Sequence, residues 1–185
     1  MKELKDIRDI QDVEKLENEY DFEKAFLLDK KLRLMVKDHP ELKTLRKKLR
    51  RLMSDYEDRV WSDHKKVSDE QVEESERAES TIEAERKFIK KRKEAIKKKL
   101  KEYDMTQQDL GELLGHSKSY ISELMNGVSQ FSMKDLVIIH RVFGISLKTL
   151  IPTYLQIDTR TKINETINKL NKPKLKLKKD DIFSE

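Results

Sequence analysis

Cysteine is absent from the 185 residues, which excludes disulfides and thiol catalysis. Glycine and proline are scarce, at four and three residues. Sandwiches and barrels need many more turn formers, so these architectures are excluded. No apolar run approaches the roughly 20 residues that span a bilayer. The opening MKELKDIRDI also lacks the apolar centre of a secretion signal. These absences lead us to expect a soluble cytoplasmic protein. His39, His64, His116 and His140 are scattered without metal-ligand spacing, and no nucleotide-binding loop or catalytic constellation occurs. The expectation is therefore no metal, no cofactor and no enzyme. What the chain has instead is charge: 42% of residues are Asp, Glu, Lys or Arg, against 36% hydrophobic. Such a balance builds long, surface-rich helices rather than one large core. The net charge of +5 is unevenly placed along the chain.

Four regions follow. Residues 1–61 read as a helical region for partner binding or dimerisation. Phe22, Ala25, Phe26, Leu32, Met35 and Val36 form a helical stripe that stops near Asp38-His39-Pro40. A second stripe holds Leu42, Leu45, Leu49, Leu52, Met53, Tyr56 and Val60, with Lys43, Arg46, Lys47, Lys48, Arg50 and Arg51 on its outer face. Two such helices bury too little surface to stand alone. Either a leading segment (Ile7, Ile10, Val13, Leu16) closes the bundle or a partner does. Residues 62–80 read as an acidic, partly helical linker opened by a Ser68–Gln71 capping box. Residues 81–156 read as a five-helix domain. Its first helix places Phe88, Ile89, Ile96, Leu100 and Tyr103 among dense Lys and Arg suited to phosphate contact. The last two helices supply Leu136, Ile139, Val142, Phe143, Ile145, Leu147, Leu150 and Ile151 as core, with Ser132 and Ser146 as caps. Residues 157–185 read as a basic tail, with a possible helix through Ile163, Ile167 and Leu170 before a disordered end.

The informative stretch is Met105 to Gly127, MTQQDLGELLGHSKSYISELMNG. Thr106 caps a helix whose first turn is Gln107, Gln108 and Asp109, and Gly115 stops it. Gly111 stands where the two helices must approach closely. Ser117 caps a second helix that Gly127 ends. Leu110, Leu113, Leu114, Ile121 and Leu124 are spaced to pack one helix on the other. That leaves Lys118, Ser119, Ser122 and Glu123 on the outer face of a short helix with a clear N-terminus, a shape that fits a major groove.

The pattern TQxDLGxxLGxSxxxISxxxNG, followed by RVFGIS, resembles the DNA-binding domain of the Cro/cI-type (XRE) repressors over roughly residues 82 to 155. The resemblance implies an all-α fold with a C-terminal lambda-repressor-like domain behind an N-terminal helical hairpin and a helical linker. It assigns base-edge contacts to Lys118, Ser119, Ser122 and Glu123, and phosphate contacts to Gln107, Ser117, Asn126, Ser129 and Ser132. Lysine donating to guanine and glutamate accepting from cytosine agree with this. The layout is also similar to antitoxins of HigA type, in which a helical N-terminal region precedes the XRE domain. That likeness implies a homodimer that binds operator DNA, represses its own operon and neutralises a small basic mRNA-cleaving toxin of HigB/RelE type. Two other readings stay open: a free-standing XRE-family repressor without a toxin, and an interaction protein that contacts DNA incidentally.

Overall fold

The computed structural model describes residues 7–37, 39–62, 68–155, 157–172 and 174–177. Among these the chain is all-helical: α1 (Glu19–Met35), α2 (Leu42–Val60), α3 (Asp69–Glu102), α4 (Gln107–Leu114), α5 (Lys118–Asn126), α6 (Met133–Phe143), α7 (Leu147–Leu150) and α8 (Ile157–Lys169). The expectations for His64, for most of residues 62–67 and for a disordered end over 178–185 lie outside the described residues.

Two cores organise these helices. The first is closed by the leading segment: Ile7, Ile10, Val13 and Leu16 are buried with Ala25, Leu28, Leu32 and Met35 of α1 and Leu42, Leu49, Leu52 and Tyr56 of α2. Asn18 caps α1, its side chain accepting from the Asp21 amide at 2.9 Å. Two of the six cations expected on a free basic face of α2 are structural ties. Arg46 reaches Asp29 through two nitrogens at 2.9 and 3.3 Å, and Lys48 donates to the Gln11 carbonyl at 2.7 Å. Arg59 donates to the Leu16 carbonyl and so holds the leading segment at its other end. Phe26 was expected in the stripe, yet it is exposed and sits under the Lys30 ammonium.

The second core joins Ile96 and Leu100 of α3 to Leu110, Leu114, Ile121, Leu124, Met125, Phe131, Leu136, Ile139, Phe143, Ile145 and Leu150. Leu113, Val142, Leu147 and Tyr103, all expected inside or on the packing stripe, are exposed. They stand at the edges of their helical stripes, where spacing alone does not settle what is covered. Ser146 precedes α7 without a side-chain cap.

The expected boundary at residues 80/81 falls inside α3, a single helix of 34 residues. Ser68 and Gln71 form its capping box. Its acidic first half is not a free linker, because Ala78, Thr81, Ile82 and Ala84 are buried and this half packs against α1. Small side chains let the two helices approach, while most of the carboxylates stay on the outer face and Glu85 pairs with Lys24 of α1 at 3.5 Å. Glu19 joins the first three helices. Buried at the start of α1, it accepts from the Tyr56 hydroxyl at 2.9 Å, the Trp61 indole at 3.3 Å and the Ser75 hydroxyl at 3.4 Å.

Gly127 and Gly144 both end helices in the left-handed region, at φ of 66° and 65°. Giving such a residue a Cβ costs about 1–2 kcal/mol, and Gly144→Ala should lose about that, since nothing lies within 4 Å of its new atom. Gly127→Ala should lose clearly more, because its Cβ would stand 2.6 Å from the Ile89 Cδ1 atom of α3. Urea unfolding of the two variants checks this, and equal losses would mean that α3 does not press on Gly127.

Candidate nucleic-acid interface

The helical pair α4–α5 is set by local chemistry. The Thr106 side chain accepts from the Asp109 amide at 3.2 Å and the Asp109 carboxylate accepts from the Thr106 amide at 2.6 Å, a reciprocal cap that starts α4. The Thr106 amide, and then the Thr106 hydroxyl, which donates to the same carboxylate at 2.8 Å, hold the Asp109 carboxyl below its ordinary range. Gly115, left-handed at φ 74°, stops α4. The close approach at Gly111 is to the turn as well as to the next helix: a Cβ there would lie 2.7 Å from the His116 carbonyl oxygen and 3.3 Å from Ile121 Cγ1. Ser117 caps α5 by accepting from the Tyr120 amide at 3.2 Å. Ile121, Leu124 and Met125 then turn into the core.

His116 is a structural residue of this turn. Its Nε2 lies 3.0 Å from Asp135 Oδ1, and its ring meets Tyr120 edge-on at 4.9 Å. Burial alone would raise the Asp135 carboxyl, but bonds from Ser132 and His116 outweigh it and hold the group low. His140 is likewise structural, its Nδ1 standing 2.7 Å from the Ile145 carbonyl.

The residues expected to face bases occupy one side of α5 and differ in how free they are. Lys118 is exposed in the first turn. Ser119 is half-buried, its hydroxyl 3.1 Å from Nδ1 of His39 in the α1–α2 turn. The Ser122 hydroxyl accepts at 3.4 Å from the Asn126 amide, which also donates to the Ser122 carbonyl at 2.8 Å. Glu123 accepts from the Ser129 hydroxyl at 2.8 Å.

The residues expected at phosphates divide in the same way. Gln107 opens α4 and Ser132 opens α6, the latter exposed and engaged with Asp135 as a cap. Asn126 Oδ1 accepts from Lys93 of α3 at 2.6 Å. Ser129 needs correcting: it is 1% exposed, and its hydroxyl is spent on Glu123. It closes the turn after α5 rather than presenting a donor outward.

Lys90, Lys93 and Lys97 recur on one stripe of α3 at helical spacing. The Lys93 bond to Asn126 places that stripe beside the C-terminal end of α5. Burial, and then the neighbouring Lys97, lower the Lys93 ammonium from its usual range.

Sequence reasoning missed the neighbours that α5 takes from the N-terminal region. Beside His39 on Ser119, the Arg8 guanidinium lies over the Tyr120 ring at 5.7 Å. The Ile7 amide donates to the Val128 carbonyl at 3.1 Å, and Lys31 Nζ donates to the Gly127 carbonyl at 3.1 Å. Val128, just after α5, is fully buried in the first core rather than the second. Its apolar side chain directly after a stop glycine was the one available sign.

With this geometry in view, the comparisons with known proteins bear on one segment. Residues 96–150 match the family model for helix-turn-helix domains, a span from the second half of α3 to the end of α7. That segment is similar to helix-turn-helix domains, and it contains the Met105–Gly127 stretch. No curated protein and no solved structure matches the chain. No described helix is long and apolar enough to cross a membrane, and the described residues hold no cluster of potential metal ligands.

Lys31 gives this seam a pH dependence. Burial lowers its ammonium to about 8, Glu85 pulling it up and Lys24 and Arg92 pushing it further down. Between that value and the roughly 10.4 of an unfolded lysine, the unfolded chain binds the extra proton. Stability contributed here should therefore rise as pH increases from about 8 towards 9.5. Urea midpoints across that window test this. In Lys31→Met the rise should vanish, and a slope that persists would assign it to another group.

Proposed function

We propose that residues 96–150 bind duplex DNA in a sequence-dependent way, with α5 entering the major groove, and that the chain regulates transcription. The observation that carries this is the construction of α5. It is a capped helix whose inner face is locked by Ile121, Leu124 and Met125, and whose outer face begins with exposed Lys118. In a helix-turn-helix the first residues of the second helix meet base edges. The match of this segment to the helix-turn-helix family supports the reading. One such helix reads only a few base pairs, so we further propose a homodimer on two half-sites about one helical turn apart. Its seat over a promoter in the cytoplasm would block polymerase by bulk.

The finer reading that we propose is an antitoxin acting on its own operon. It is supported by the order of parts, a helical unit with its own core ahead of the reading domain. Its test is growth: the adjacent small open reading frame is induced alone and then with this chain. Arrest alone and rescue together support the antitoxin. The absence of arrest leaves a free-standing repressor.

The two kinds of DNA contact separate experimentally. Lys118→Ala should relax base preference at one position and cost about 1–3 kcal/mol on the preferred duplex. Competition binding against single-base variants measures this, and unchanged discrimination would move the reading face elsewhere. Lys90→Ala with Lys97→Ala should instead weaken all duplexes alike. The slope of log affinity against log salt should flatten by about 0.9 for each phosphate that is no longer neutralised. Titration at several salt concentrations provides the check.

A further inference from the structure

We propose that the chain's own N-terminal unit is seated on α5 at Ser119 and Tyr120 and on the turn behind it, so that the described conformation is closed and must part at that seam before α5 enters a groove. The inference rests on the DNA-reading role proposed for α5.

The contacts are specific to the reading helix and the turn behind it. His39 stands 3.1 Å from the Ser119 hydroxyl, Arg8 lies over Tyr120, Ile7 binds the Val128 carbonyl and Lys31 binds the Gly127 carbonyl. A base edge needs the same distance from Ser119 that His39 now takes, about 2.7–3.2 Å. The two partners therefore exclude each other.

The seam is built to part. Its apolar contribution is narrow, Val128 alone joining the first core from this side. The remainder is polar: His39 on Ser119, Arg8 over Tyr120, and single hydrogen bonds from the Ile7 amide and the Lys31 ammonium to the Val128 and Gly127 carbonyls. Parting takes place between α5 and the leading segment with the end of α1, and not within α3. That helix contains neither glycine nor proline to bend at.

If only a fraction of molecules is open, the apparent dissociation constant for DNA is the intrinsic one divided by that fraction. The experiment uses the full chain in three forms: wild type, His39→Ala/Arg8→Ala and Ile7→Asp. None of these substitutions lies within α5. Each form is taken through selection from a random duplex library, and affinity is then measured on the recovered sequence. Hydrogen exchange at residues 119–129 without DNA reports opening independently. Expected is faster exchange there, the same recovered sequence, and binding tighter than wild type by about tenfold or more. Faster exchange with unchanged affinity would overturn the closure and leave the DNA reading standing. Unchanged exchange in Ile7→Asp would overturn it too, because these contacts would not be what holds α5. Opened variants that recover no preferred duplex would overturn the DNA reading, and the closure with it.

Discussion

Because α3 runs unbroken from Asp69 to Glu102, the two cores are mounted on one rod. A helix of that length spans about 50 Å. Its first half presents Ala78, Ile82 and Ala84 to α1, and its second half presents Ile96 and Leu100 to the helix-turn-helix. Its many Glu, Lys, Arg and Ala residues favour helix along its length, and packing of both halves fixes where it lies. The position of α5 follows from this. It is fixed to the second half of the rod by its own core and faces the unit that is fixed to the first half. Ile89, pressed against Gly127, marks the point where the rod and the end of α5 meet.

The polar groups between the cores are all used, though not in ordinary pairs. Arg92 is buried with two rings, Phe88 at 5.2 Å and Phe131 at 5.0 Å, and with the Leu150 carbonyl at 3.5 Å. Burial lowers its guanidinium, with Tyr154 and Glu85 acting in the opposite sense. Aromatic faces and a carbonyl can hold a guanidinium that has no carboxylate of its own. Lys24 keeps its charge because Glu85 at 3.5 Å and Tyr20 offset the cost of burial. Such an interior gives geometry more than stability. It fixes where α1, α3 and the α6–α7 end meet, and it does so without the apolar area that would make the contact permanent.

The helix-turn-helix was legible because its instructions are local. Each of Thr106, Ser117 and Ser132 caps the amide three residues on, and glycines 115, 127 and 144 stop their helices. Spacing identified the buried stripes but not their edges, which is why Leu113, Val142, Leu147 and Phe26 fell on the wrong side. The acidic stretch read as a linker because hydrophobicity was the signal sought. Its packing uses Ala78, Thr81 and Ala84, whose contribution is smallness rather than hydrophobicity. Among the candidate site residues, helix positions were legible and availability was not. Ser119 and Ser129 differ from Lys118 only through partners, and the partner of Ser119 is 80 residues away. No period or capping rule carries information over that distance.

Val128 shows what this coupling would mean for function. It follows the reading helix by two residues in sequence but belongs to the core of the other unit. A shift of α5 on DNA is therefore a shift of a buried side chain in the N-terminal core, and close-packed interiors do not deform without cost. If α5 reads DNA as proposed, whatever binds the N-terminal unit and favours its present packing disfavours DNA, and whatever loosens it favours DNA. Linkage makes the relation reciprocal: DNA must change the affinity of the N-terminal unit for that partner by the same factor. A regulator of this construction would need no separate signalling element between partner and operator, since Val128, in the turn after α5, is already part of the N-terminal core.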